Sequence, residues 1–244
     1  MENKKKILVL NGSPKKEKST TLVITRAFVQ GIEETLNAET EYIHLSDLQI
    51  KPCTGCLSCW SKTEGECVIQ NDDIPALKEK IENADIFIES YPLYFFGMPG
   101  QMKVFTDRML SMMKTYEGQC SPNNGESLHG IRGGKTGKGF VVFSACAYSQ
   151  TEEVYESLLK QYDYICGKNN YTAVLCSQIQ TLVDLGTNAR LERYLNPFVK
   201  AGREYAQNKS LSEETKKRLS KPPFSQDTYK ILLNNFWERR KNGR

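Results

Sequence analysis

Four cysteines fall within fifteen residues, at Cys53, Cys56, Cys59 and Cys67. Thiolates are soft donors that suit zinc, copper and iron–sulfur centres. Structural zinc ordinarily takes two Cys-x2-Cys pairs set well apart. Here three cysteines follow one another at x2 spacing, which suits thiolates wrapping one face of an iron–sulfur cubane. Two other readings stand beside that one: reduced buried thiols with Trp60 capping the loop, and a redox-active disulfide. The remaining four, Cys120, Cys146, Cys166 and Cys176, have no ligand spacing, and Cys166 and Cys176 read as core.

A second constellation lies near the N-terminus. Asn11-Gly12-Ser13-Pro14 ends an apolar run and leads through Lys15, Lys16 and Lys18 to Ser19-Thr20-Thr21. A helix starting at Ser19 or Thr20 would offer backbone N–H groups and a partial positive charge to an anion. Ser13, Ser19, Thr20 and Thr21 add hydroxyl donors, and Lys15, Lys16 and Lys18 add positive charge. The loop is no Walker A sequence, and no Gly-x-Gly-x-x-Gly occurs, so a mononucleotide fits better than a dinucleotide. The nearest Walker-like stretch, Gly130 to Thr136, is one residue short and precedes a strand.

Aromatic residues gather at a third place. Tyr94, Phe95 and Phe96 follow Pro92-Leu93 and precede Gly97, just after an apolar run. Three rings in a loop suit the walls of a flat conjugated ring, with backbone N–H groups from Leu93 to Gly97 at its polar edge. Ser144-Ala145-Cys146-Ala147-Tyr148 leaves another apolar run and would line the ring's far side. Phosphate at one end and an aromatic ring at the other describes FMN. The two histidines, His44 and His129, form no catalytic triad, and no protein acid or base is singled out as catalytic.

The elements that must position these loops follow from periodicity. Ile7–Leu10, Asp85–Ile88, Gly139–Phe143 and Tyr171–Cys176 are short apolar runs typical of strands buried on both faces. Tyr42–Leu45 reads as an edge strand. Helical spacing joins Ile24, Phe28, Ile32 and Leu36, and again Met102, Phe105, Met109, Met113 and Tyr116. Ser149 with Glu152 suggests a capping box opening a further helix. Pro197 should kink or start the helix expected over 188–207. Strands alternating with helices make an α/β parallel, doubly wound sheet, whose ligands bind beyond the carboxyl ends of the strands. All three loops leave such ends.

Composition sets the bounds. The chain has 244 residues, with 33 Lys and Arg against 29 Asp and Glu, a net charge of +4. From Asn208 onward there are ten basic and four acidic residues, which leaves residues 1–207 with 23 against 25. The near-neutral body argues against nucleic acid as a partner. No apolar run reaches the roughly 18 residues a membrane span needs. Lys4–Lys6 precede too short an apolar run for a secretory signal, so the cytoplasm is the expected place. Residues 1–207 are expected as one domain and 208–244 as a basic helical extension, packed through Ile231, Leu232, Phe236 and Trp237 on the body or across a dimer.

Gly12-Ser13-Pro14 with Ser19-Thr20-Thr21, Tyr91-Pro92-Leu93-Tyr94-Phe95 and Met102-Lys103-Val104-Phe105-Thr106-Asp107-Arg108 together resemble the flavodoxin-like family of NAD(P)H-dependent FMN reductases, which includes the iron–sulfur flavoproteins. The resemblance runs from about residue 4 to about 207. It implies a flavodoxin-like five-stranded sheet of order 2-1-3-4-5 and FMN held without a covalent bond. Hydride would pass from NAD(P)H to the flavin and on to a small-molecule acceptor, such as a quinone, azo or nitro compound. It implies a homodimer or tetramer. Lys15 stands where this family often has Arg, which weakens a bidentate grip on phosphate. The cysteine spacing also resembles the compact motif of iron–sulfur flavoproteins, which implies that Cys53, Cys56, Cys59 and Cys67 ligate one [4Fe–4S] cluster. The alternatives to the reductase are thus an electron-transfer iron–sulfur flavoprotein and a non-enzymatic thiol redox sensor.

Overall fold

A computed structural model describes residues 4–115, 129–133, 137–186 and 188–243. Tyr116, Cys120, most of the Gly-, Asn- and Ser-rich stretch and part of the Walker-like sequence lie outside the described residues.

Five strands form one parallel sheet: β1 (Lys5–Asn11), β2 (Ala38–His44), β3 (Ile86–Pro92), β4 (Gly139–Cys146) and β5 (Thr172–Ser177), in the order β2-β1-β3-β4-β5. This is the flavodoxin-like order the resemblance implied. Side chains alternate across a strand, so each central strand feeds two cores. Ile7 and Val9 of β1, Ile88 of β3 and Phe143 of β4 enter one core. Leu8 and Leu10, Phe87 and Tyr91, and Val142 enter the other. That double burial is why these strands read as unbroken apolar runs.

Helices cover both faces. They are α1 (Thr20–Glu33), α2 (Ile74–Asn83), α3 (Gly100–Arg108), α4 (Glu156–Cys166), α5 (Ile179–Asp184), α6 (Asn188–Asn208), α7 (Glu213–Leu219) and α8 (Gln226–Lys241). Helices α1, α5 and α6 pack on the first core, and α2, α3 and α4 on the second. Helices α1 and α6 nearly touch. A Cβ on Gly31 would lie 1.9 Å from the Val199 carbonyl oxygen, and one on Gly202 would lie 1.9 Å from that of Phe28.

Several boundaries differ from the sequence expectations. Strand β2 begins four residues earlier than Tyr42, because its whole length pairs with β1. The capping box at Ser149 does not form. The Ser149 carbonyl accepts from Gln178 Nε2 at 2.9 Å, and Glu153 holds a positive φ of 64°, so α4 starts only at Glu156. Helix α3 stops at Arg108 and tightens into a 3-10 turn over Met109–Met112. Trp60 Nε1 donates to the carbonyls of Leu110 and Met113 at 3.1 and 3.0 Å, which draws those carbonyls away from a helical ladder. Helix α6 runs through Pro197 without a break in assignment.

Residues beyond Asn208 dock through other side chains than the sequence suggested. Leu211, Leu219, Phe224 and Tyr229 enter the first core, and Tyr229 Oη donates to the Ala147 carbonyl at 2.6 Å. Leu232 packs partly against that core, while Ile231 and Trp237 stay more than half exposed.

Candidate functional site

The loop from β1 to α1 organises itself. Asn11 Oδ1 accepts from the Ser13 amide at 3.1 Å, and Asn11 Nδ2 donates to the Lys16 carbonyl at 3.1 Å. The Ser13 hydroxyl accepts from the Lys15 amide at 3.3 Å. Ser19 caps α1, its hydroxyl accepting from the Leu22 amide at 3.4 Å. The amides of Thr20 and Thr21 then lie in the first helical turn, where a backbone N–H has no acceptor in its own helix. Ser13, Ser19 and Thr21 are all buried. Thr21 Oγ1 has no hydrogen-bond partner, although it is buried. A buried hydroxyl left unpaired costs roughly 1–3 kcal/mol, so an acceptor belonging to a ligand is the natural partner.

The cleft at this point holds about 160 Å³. It lies beyond the carboxyl ends of β1, β3 and β4. Of the residues selected from sequence, the structure brings ten to its wall: Ser13, Lys15, Ser19, Thr20 and Thr21 at one end, and Pro92, Leu93, Tyr94, Ala145 and Cys146 at the other. Burial pushes the Cys146 thiol up, so it stays neutral.

Five selected residues lie off the wall. Ser144 is wholly buried and accepts from Tyr155 Oη at 3.2 Å. Phe95, Phe96 and Gly97 form a tight turn: the Tyr94 and Gly97 amides each donate to the other's carbonyl at 3.0 Å. Phe95 and Phe96 take positive φ of 49° and 61°, and Phe95 is fully exposed. The Phe96 ring stacks on Tyr148 with centroids 5.5 Å apart.

Ala147, from the selected stretch Ser144–Tyr148, also lines the cleft, as do Ile179 and Gln180, which the sequence reading did not select. Gln180 Oε1 accepts from Lys15 Nζ at 3.0 Å and from Thr20 Oγ1 at 3.4 Å. The usable signal was topological, since α5 follows the carboxyl end of β5, where ligand loops sit in a parallel sheet. Lys16 turns away to pair with Asp47. His44 bridges Asn11 and Glu17, at 2.9 and 2.8 Å, and so supports the loop from behind.

Beneath the cleft, Glu89 of β3 is buried, and burial holds its carboxyl up at about 7 against the opposing hydrogen bond from Tyr162 Oη. Tyr162 and Tyr91 hydroxyls lie 2.6 Å apart.

The four clustered thiols are all free. Cys53 and Cys56 are exposed, Cys67 is half-buried and Cys59 is buried. Burial raises the Cys59 thiol, and the charges of Cys67, Cys53 and Cys56 add to that rise. Hydrogen bonding, first from Ser58, lowers the Cys56 thiol. Among the described residues no three His, Cys, Asp or Glu groups converge at metal-holding distance. The donor chemistry therefore suits a soft metal centre, whereas the positions are gathered only loosely.

Known proteins bear on this geometry. The family described as NADPH-dependent FMN reductase matches residues 5–123. An iron-sulfur flavoprotein of Methanocaldococcus jannaschii is 40% identical over 103 residues, covering 42% of this chain and 51% of that protein. An FMN-dependent NADH:quinone oxidoreductase of Exiguobacterium is 31% identical over 123 residues, covering 46% of this chain and 57% of that one. The chain thus spans about half the length of these relatives. Among solved structures, an NAD(P)H:quinone oxidoreductase from Methanothermobacter marburgensis superposes with a TM-score of 0.55 at 19% identity, over 83% of this chain and 97% of that one. The strand order is flavodoxin-like, and residues 5–123, which carry the loops after β1 and β3, are similar to the NADPH-dependent FMN reductase family.

Proposed function

We propose that the chain is an FMN-dependent NAD(P)H oxidoreductase that passes electrons from a nicotinamide to a small acceptor such as a quinone, azo or nitro compound. The observation that carries this reading is the unpaired, buried Thr21 hydroxyl at the N-terminus of α1, in the wall of the carboxyl-end cleft. The residues suit FMN. Ser13, Ser19, Thr20 and Thr21 with the first-turn amides would hold its phosphate, the helix terminus favouring the negative charge. Lys15, steadied by Gln180, would add a point charge rather than a fork. Pro92, Leu93 and Tyr94 lie beside Ala145, Cys146 and Ala147 in the cleft wall and would give the ring an apolar surface. When bound, FMN supplies acceptance of a hydride and its onward delivery. The chain's own part is to orient, to exclude water and to leave one face open. In this reading it works in the cytoplasm as a homodimer or tetramer, residues 1–207 forming the FMN domain and 208–244 an extension. Nucleic acid and membrane are not partners in this reading; among the described residues no helix is long and apolar enough to cross a membrane.

The test is a fluorescence titration of the chain with FMN, followed by NADH and NADPH oxidation with menadione or an azo dye. Stoichiometric quenching and acceptor-dependent oxidation are expected. A chain that takes up no FMN, or that leaves both nucleotides untouched when loaded, overturns the reading.

A second reading adds a [4Fe–4S] centre on Cys53, Cys56, Cys59 and Cys67. The x2-x2-x7 spacing supports it, as does the name of the M. jannaschii relative. About four iron atoms per chain after anaerobic purification is the expected result. Iron-free protein from that preparation sinks it.

A further inference from the structure

The cysteine loop hangs on one side chain from a distant helix. Arg108, the last residue of α3, is completely buried, as is its partner Asp72. Its Nη1 donates to the Lys51 carbonyl at 2.8 Å and to Asp72 Oδ2. Its Nη2 donates to the Ile69 carbonyl at 2.8 Å and to Asp72 Oδ1 at 3.4 Å. Asp72 in turn accepts from the Lys51 amide at 3.0 Å. One guanidinium therefore grips both feet of the segment 52–68, and that segment contains all four clustered thiols.

The same group has a further neighbour. Cys67 lies two residues before Ile69, whose carbonyl Arg108 holds, so the clasp closes beside that thiol. Arg108 Nε is buried and unpaired within the protein's own hydrogen-bond network. A planar fork can hold two carbonyls and a carboxylate at once, and a lysine ammonium cannot match that geometry. Thiolates gathered around a metal accumulate negative charge. Partners just outside the ligand shell that neutralise and orient them are part of how such sites bind.

We propose that Arg108 is the positioning residue of the thiol set: it closes the cysteine loop at both feet, so that the four thiols stay on one short tether when a soft metal centre draws them together. The proposal rests on the iron–sulfur reading of those four cysteines. It extends that reading to a residue that is itself no ligand. Trp60, tied to the carbonyls of Leu110 and Met113, and Lys78, whose Nζ donates to the Gly65 carbonyl at 2.8 Å, secure the middle of the loop. Arg108 is the residue that joins its two ends.

Cobalt(II) chloride, added to the reduced full-length chain under nitrogen, is the probe. Thiolate-to-cobalt charge-transfer absorption reports both affinity and the sulfur environment. Wild-type protein is expected to bind one cobalt per chain. Arg108→Met should weaken that binding by about 10–100-fold and move the charge-transfer band, with FMN affinity unchanged. Arg108→Lys keeps the charge opposite Asp72 and loses the fork. It should recover the band position and only part of the affinity, a split that mere loss of loop stability would not produce. If Arg108→Met does not fold, Arg108→Lys decides alone. Wild-type cobalt affinity in a folded variant lacking the arginine overturns the proposal. If the wild-type chain takes up FMN but no cobalt, the metal reading of the four thiols fails, and the proposal goes with it.

Discussion

Two loops leave neighbouring strands at the same edge of the sheet, and they are built by opposite means. The loop after β1 holds itself: Asn11, Ser13 and Ser19 satisfy amides within a few residues. Gln180, His44, Asp47 and the Ser90 carbonyl reach it from farther along the chain. The cysteine loop after β2 is held by side chains from elsewhere, Arg108 above all. A site made of helix-terminal amides and adjacent hydroxyls is preorganised by local chain geometry. A site made of flexible thiols needs a clasp supplied by tertiary packing.

The largest expected effect separates the two loops energetically. Arg108→Met strands the buried Asp72 carboxylate and should cost about 3–5 kcal/mol in urea unfolding. A loss below about 1 kcal/mol would mean that the clasp carries no load and that the two loops are alike.

The platform beneath both loops comes next. The folded chain holds the Glu89 carboxyl at about 7, against 4.5 for the free group. Its folded state keeps a proton that the unfolded chain releases, so stability falls as pH rises from about 4.5 to about 7. The fall amounts to about 3 kcal/mol at most. Glu89→Gln should flatten that slope in denaturant melts taken across the same window. An unchanged slope would place the titrating group elsewhere.

Within the first loop, Thr21→Val removes the unpaired hydroxyl and keeps the shape. Stability of the unliganded chain should hold or rise slightly, while FMN affinity falls about tenfold. Equal FMN affinity would take Thr21 out of the phosphate site.

The smallest effect concerns the aromatic turn beside the cleft. Replacing Phe95→Asn together with Phe96→Gly puts residues that accept positive φ where two phenylalanines now hold it. Thermal stability should rise by about 1 kcal/mol, or roughly 2–4 °C. No gain would show that the rings repay the strain through packing, as the Phe96 stack on Tyr148 suggests.

How much of this was legible differs between the two loops for the same reason. The β1 loop is contiguous, so Ser13, Ser19, Thr20 and Thr21 could be selected from order alone. Gln180 could not, because it is 160 residues from Thr20 and enters only through the parallel crossover. The cysteines announce their chemistry by spacing. Arg108 sits in a segment that looks like an ordinary amphipathic helix, and nothing local links it to Lys51 or Ile69. The false capping box at Ser149 failed for a related reason: Gln178, far along the chain, takes the Ser149 carbonyl that a local rule would leave to the helix. The anchoring of the C-terminal segment by Phe224 and Tyr229 rather than Trp237 was likewise invisible, since all are apolar and only the docked geometry ranks them.

The sequence by itself determined the alternation of strands and helices, the double burial of β1, β3 and β4, the hydroxyl-rich helix start and the thiol spacing. Each depends on residue type and short-range order, through backbone periodicity and local hydrogen bonding. Only the tertiary structure decided that Tyr94 reaches the cleft while Phe95 does not, that Thr21 keeps an unspent hydroxyl, and that one arginine closes the cysteine loop. Those facts depend on which distant groups occupy the remaining hydrogen-bonding positions, and a buried polar group takes whatever partner the packed chain brings to it.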